Sequence, residues 1–252
     1  MPPPNLQQGY ALLLFILTLF MATSVTVYYG ILPQANQLKH LQTQHHMALL
    51  NQVKTNLLLY ATSTPEIYAT NTNGNFYTAE LIAAPGYLPC PDTNKDGTSD
   101  TPCGGNELLS IVSGQLPQAI ATRHFRFIDD TPLDIWFVVD SRYVIQNANY
   151  HNATIKRYSP INSHSPGNGN IKLGNQNNLV ALVFISDKTP AEHLLDPSQN
   201  LFHRLNSPMI TISHAEWNGN IESRARSEKN AYCQLDSAIQ NWFNINWRGI
   251  LC

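Results

Sequence analysis

An α+β fold, in which one long N-terminal helix packs on a small antiparallel sheet, is what this 252-residue sequence predicts. Three observations predict it. Residues 10–32 (YALLLFILTLFMATSVTVYYGIL) contain neither charge nor proline. Residues 34–61 contain neither glycine nor proline and repeat apolar side chains at three- and four-residue steps. The remainder alternates short β-branched and aromatic runs with turn-rich stretches.

Composition narrows the function classes first. The chain is 43 % hydrophobic and only 13 % charged, with a net charge of −2. That apolar content suffices for a packed core, so the chain is not intrinsically disordered. Its 15 basic residues are outnumbered by 17 acidic ones, so no nucleic-acid partner is expected.

Taken in order, residues 10–33 predict a transmembrane helix. The 23-residue run spans roughly 34 Å at 1.5 Å per residue, against a bilayer core of about 30 Å. No Lys or Arg precedes it and no small-residue cleavage site follows it, unlike a secretory signal peptide. Gly30 and Pro33 mark a bend. Residues 34–61 predict an amphipathic extension with Leu38, Leu41, Ala48, Leu49, Val53, Leu57 and Leu58 on one stripe. Residues 62–252 form one loop-rich globular domain. Within it, 62–86 reads as a long loop and 107–112 as a short helix stopped by Gly114 and Pro117. Residues 135–139, 179–185 and 209–212 read as buried strands, and 162–178 as turn. Residues 227–244 predict a second helix carrying Cys233, with Ala231, Leu235, Ile239 and Trp242 at helical spacing.

Four cysteines, Cys90, Cys103, Cys233 and Cys252, fall into two sequence-local pairs with no C-x-x-C motif. Three pairings are possible. The local one, Cys90–Cys103 with Cys233–Cys252, closes the smallest loops, each worth about 3 kcal/mol in the chain-entropy model. Cysteines behind a membrane anchor point to an oxidising periplasm.

The sharpest chemical signal is DTNKDGTSD, residues 92–100. Oxygen-bearing side chains at Asp92, Asn94, Asp96, Thr98 and Asp100 alternate along the loop, and Gly97 permits a sharp turn. Calcium takes six to eight oxygens at about 2.3–2.6 Å, and this spacing curls such oxygens inward. Calcium is therefore the candidate cofactor. The twelfth position of an EF-hand-like loop is Cys103 rather than a bidentate glutamate, and a solvated Asp/Asn/Gly turn is the competing reading.

Other signals carry less. His40, His45 and His46 lie on the amphipathic helix outside any H-E-x-x-H motif. His193 with Asp196, and Ser213 with His214, lack a nucleophile elbow. Arg123, Arg126, Arg224 and Arg226 are scattered in pairs, as on solvated faces. Trp136, Trp217, Trp242 and Trp247 suit a core or assembly contact. The sequon at Asn152 is a pattern only. No catalytic residues are assigned.

A short polar leader ending in Gly9, an aromatic start at Tyr10, a long apolar helix, a Gly/Pro bend and an amphipathic extension together resemble a type IV pilin-like protein. That group includes the pseudopilins of type II secretion. PGYLPCPDTNKDG, residues 85–97, resembles the G-x-LPCPD-T-x-x-DG stretch of a subgroup of prepilin-like proteins. Residues 114–117 (GQLP), 132–143 and 180–190 are similar to that subgroup as well. The resemblance implies a leader of residues 1–9, cut by a prepilin peptidase between Gly9 and Tyr10, with methylation of the new amine. Leu14 stands where the family usually has glutamate, and Gln7 and Gln8 where basic residues usually precede the glycine; Leu14 points to a minor subunit. The implied function is a non-enzymatic minor pilin or pseudopilin that meets sister pilin subunits in a pilus or secretion filament. Its implied location is the inner membrane, single-pass, with the globular domain in the periplasm. The alternative is a bitopic periplasmic enzyme, ligand-binding protein or adhesin with an uncleaved anchor.

Overall fold

The computed structural model describes residues 6–26, 32–64, 67–69, 80–83, 85–101, 103, 111–120, 125–144 and 168–233. The chain divides into two units, Met1–His46 and Met47–Cys252. The first contains helix α1 (Leu6–Thr26) and the opening turns of helix α2 (Leu32–Ser63). Pro33 is the second residue of α2, where its missing N–H costs nothing. In α1 the apolar side chains are exposed on every side, from Tyr10 at 71 % to Ile16 at 50 %.

The expected transmembrane helix, and with it single-pass inner-membrane anchoring of a periplasmic domain, is overturned. Among the described residues no helix is long and apolar enough to cross a membrane. Helix α1 has 21 residues, but its first turn is Leu6-Gln7-Gln8-Gly9 and its last contains Thr23, Ser24 and Thr26. Residues 27–31 of the expected span lie outside the described residues, and the described part, residues 10–26, spans only about 26 Å at 1.5 Å per residue, against a bilayer core of about 30 Å.

In the second unit α2 buries Leu50, Val53, Leu57, Tyr60 and Ala61. Val53 and Leu57 were expected on that stripe, and Leu49 and Leu58 pack at its margins. Ala48 is exposed, as are Leu38 and Leu41 in the first unit. The helix is rolled toward Leu50 because polar anchors fix its flanks. Lys54 Nζ donates to the carbonyl of Thr211 (2.9 Å) and pairs with Glu216 (2.7 Å). Asn56 Nδ2 donates to the carbonyl of Phe127 (2.9 Å), and Tyr60 meets Phe125 and Phe127 edge-on.

The sheet is neither small nor purely antiparallel, which corrects the expected fold class. It is a mixed, seven-stranded half-barrel. Its hub is β8 (Gln176–Ile185), following β3 (Ile111–Gln115), β6 (Ile135–Asp140) and β7 (Ile171–Leu173). One edge of β8 takes β6 along its second half (Val139 opposite Ala181) and β7 along its first (Ile171 opposite Leu179). The other edge takes β11 (Met209–Ser213), with Ile210 opposite Val183. Strand β3 pairs with β6; β9 (Leu194–Asp196) and β10 (Leu201–Phe202) extend the sheet beyond β7, and the β10–β7 pair is parallel. Two separate two-stranded sheets are β1–β2 (Ile67–Ala69, Glu80–Ala83) and β4–β5 (Ala119–Ile120, Phe125–Arg126).

Strands β6 and β8 read as unbroken apolar runs because both their faces are covered. Phe137, Val139, Ala181 and Val183 face the α2 cluster with Trp217 and Ile221. Trp136, Val138, Leu182 and Phe184 face a second cluster with Phe202. The end of β6 is locked to the start of β7 by buried Asp140. Its carboxylate accepts Arg142 Nε (2.9 Å) and Nη2 (2.6 Å) and the backbone N–H of Asn170 (2.9 Å). Arg142 Nη2 and the Tyr143 hydroxyl both donate to the carbonyl of Asn168. Burial pushes the Tyr143 phenol well above its ordinary range.

Four local expectations change. The stretch expected as turn over 162–178 contains β7 and the first residues of β8. The loop expected over 62–86 contains β1 and β2. Residues 111–112, expected at the end of a short helix, lie in β3, because Ile111 and Val112 find partners in Asp140 and Val139. Helix α3 (His214–Cys233) starts earlier than the helix expected over 227–244: the Ser213 hydroxyl accepts the N–H of Glu216 at its first turn. Residues 234–244 of the expected helix lie outside the described residues.

Candidate functional site

Residues 92–100 are strapped over the sheet edge. Asp92 exchanges two backbone hydrogen bonds with Gln115 of β3 (2.9 and 2.8 Å), and the carbonyl of Gly97 accepts the N–H groups of Gln118 and Ala119. Gly114 is required there, because a Cβ would stand 2.5 Å from the carbonyl oxygen of Asp92. A Cys90–Cys103 disulfide closes the strap across a separation of 13 residues. One of the two expected bridges therefore stands. The Cys233 side chain and Cys252 lie outside the described residues.

Within the loop the expected ligands divide. Asp92 is buried, and its two oxygens accept the N–H groups of Lys95 (2.6 Å) and Gly97 (2.7 Å). That clamp holds Lys95 at φ +64° and Gly97 at φ +84°. Asp96 accepts the hydroxyl and N–H of Thr98, and Asp100 the hydroxyl and N–H of Thr93. These bonds, led in each case by the threonine hydroxyl, hold both carboxyls below the ordinary carboxylate range. Asn94 brings the two together, its amide nitrogen donating to Asp96 (3.1 Å) and to Asp100 (3.2 Å).

The geometry thus converges Asp96 and Asp100 on one point beside Asn94, while Asp92 is committed to the backbone. Thr98 contributes its hydroxyl to Asp96 rather than presenting it alone. Among the described residues no group of three His, Cys, Asp or Glu side chains is arranged to hold a metal. A cation here would draw on Asn94, Asp96, Asp100 and carbonyl oxygens, all hard donors of the kind calcium takes.

The two residues of the expected leader cleavage site, Gly9 and Tyr10, fall inside the opening turns of α1, with Tyr10 exposed. Two features escaped sequence reasoning. Ser186 and His193 meet at 2.9 Å, yet the same serine oxygen accepts the Lys188 N–H and the imidazole stands edge-on to Phe184. This pair ties a turn. A cavity of about 130 Å³ opens beside the strap between β3 and residues 128–135; no motif announces it, because its walls come from separate segments. A scan against protein-family models and searches of the curated proteins and the solved structures return no match for this chain.

Proposed function

We propose that this chain is a non-enzymatic filament subunit of the minor pilin or pseudopilin kind, whose helix α1 packs against α1 of sister copies. The carrying observation is the chemistry of α1. Its apolar side chains are exposed all round, and a helix apolar on every side is stable only when other apolar groups surround it. Its hydroxyls raise no obstacle. Thr18 donates to the carbonyl of Phe15 (2.9 Å), Thr23 to that of Leu19 (3.0 Å) and Ser24 to that of Phe20 (2.8 Å). A helix bundle can then enclose Thr18, Thr23 and Ser24 without stranding their hydroxyls.

Processing by a prepilin peptidase belongs to the same reading, and mass spectrometry of the mature chain tests it. A methylated Tyr10 at the amino terminus is expected; Met1 retained in the assembled material overturns it. Leu17→Arg should remove the chain from sedimenting filaments, because it places an unpaired charge in an apolar bundle at a cost of several kcal/mol. A variant that assembles as well as the parent counts against the proposal.

The strapped loop adds a calcium site to this reading, supported by the convergence of Asp96 and Asp100 beside Asn94. A ligand present at 100 times its dissociation constant stabilises the folded state by about 2.7 kcal/mol. Millimolar calcium should therefore raise the thermal midpoint, and Asp100→Asn should abolish the rise. A midpoint indifferent to calcium and to chelator removes the metal from the proposal.

A further inference from the structure

The cavity beside the strap has a floor and a wall of different chemistry. Leu116, Ile128 and Ile135 form a buried apolar floor, while Gln115, Gln118 and Asp134 supply the polar wall. At about 130 Å³ it far exceeds the roughly 10–15 Å³ one water needs. It is also well below the about 300 Å³ at which pockets for cofactors and drug-sized ligands begin. Such a space suits one long side chain.

Charge selects which side chain. Asp134 Oδ1 accepts the amide of Gln115 (3.2 Å); among the described residues its other oxygen has no donor and its carboxylate has no cationic partner. Asp129 and Asp130, next in the chain after Ile128, are the carboxylates that Arg126 reaches, at 3.8 and 3.6 Å from an exposed position. An arginine brings an apolar stem for the floor and a planar fork of donors for a carboxylate and amide oxygens.

The geometry points to this cavity as a socket for an arginine side chain of a partner protein. The socket names a kind of contact that the filament reading leaves open, and it does not depend on that reading. Its back wall is shared with the strap: the N–H of Gln118 donates to the carbonyl of Gly97 (2.9 Å), and a Cβ on Gly97 would stand 3.3 Å from the amide oxygen of Gln118. The cavity's surface is mainly polar, so Gln115, Gln118 and Asp134 account for the choice of a charged, many-donor head, with the edges of Leu116, Ile128 and Ile135 left for the stem.

The test titrates the full-length chain, held monomeric in detergent, with N-acetyl-arginine amide and follows backbone amide shifts by NMR. Saturable shifts confined to residues 115–118 and 128–135 are expected. The citrulline analogue, which keeps the shape and loses the charge, should bind at least about tenfold more weakly. Asp134→Asn should weaken arginine to the same degree while leaving the rest of the spectrum in place. Thr131→Phe, which fills the mouth from its rim, should abolish the shifts. Equal binding of arginine and citrulline, linear shifts without saturation, or an unaltered response in both variants overturns the socket.

Discussion

Trp217→Ala is expected to destabilise the fold by about 3–5 kcal/mol, the usual loss for truncating a buried aromatic. Trp217 is fully buried at the second turn of α3, where its ring meets Tyr143 edge-on at 4.7 Å between centroids. Its indole N–H donates to the carbonyl of Gly86 (2.9 Å), across 131 residues of sequence. The side chain therefore joins α3, the end of β6 and the segment that leads into the strap. Trp217→Phe separates two contributions. It keeps most of the apolar volume and leaves the Gly86 carbonyl without its donor, at a cost of about 1–3 kcal/mol. Urea unfolding of the two variants measures both. A loss below 1 kcal/mol in the alanine variant would show that α3 is not part of the core.

Arg142→Ala should cost a similar amount, about 3–5 kcal/mol, for a different reason. Asp140 is completely buried, and the guanidinium is its counter-charge. Removing one partner of a buried pair leaves an uncompensated charge, which is far worse than never having the pair. Arg142→Lys should recover only part of the loss, since an ammonium cannot match two oxygens at once. The double variant Arg142→Met with Asp140→Leu should be less destabilised than Arg142→Ala alone. A double variant as unstable as the single would place the energy in packing rather than in charge. The Asn170 N–H also loses its acceptor in that variant, so recovery will be incomplete.

The strands easiest to read in the sequence were those covered on both faces. Residues 135–139 and 179–185 carry runs of Val, Ile, Leu, Phe and Trp that no exposed segment would tolerate; 209–212 was read as a third buried strand, and only Ile210 and Ile212 of it are buried. The Cys90–Cys103 bridge is the smallest-loop choice among the three pairings that the sequence left open. What escaped depended on partners remote in the chain. Ile111 and Val112 suit a helix turn as well as a strand until β6 lies beside them. The stripe of α2 rolled toward Leu50 because Lys54 found Thr211 and Glu216. In α1, the expected span ran on to residue 33, whereas the described helix covers Leu6–Thr26 and residues 27–31 lie outside the described residues. At the strap, the run of alternate oxygens was visible, but its division of labour was not. Asp92 went to the backbone because two N–H groups of a tight turn lay within reach. Only Asp96 and Asp100 were left facing each other.

The anchors of α2 carry a consequence for how the chain comes into being. Lys54 waits for Thr211, 157 residues later, and the carbonyls of Thr62 and Thr64 wait for Arg224. At about 5–20 residues per second on a ribosome, the first of those waits lasts roughly 8–30 s. Through that interval the nascent helix offers an uncovered greasy flank to anything nearby, so a chaperone has a defined window in which to hold it. Truncation before β11 should leave a product that is caught by such helpers rather than released as a native-like fragment.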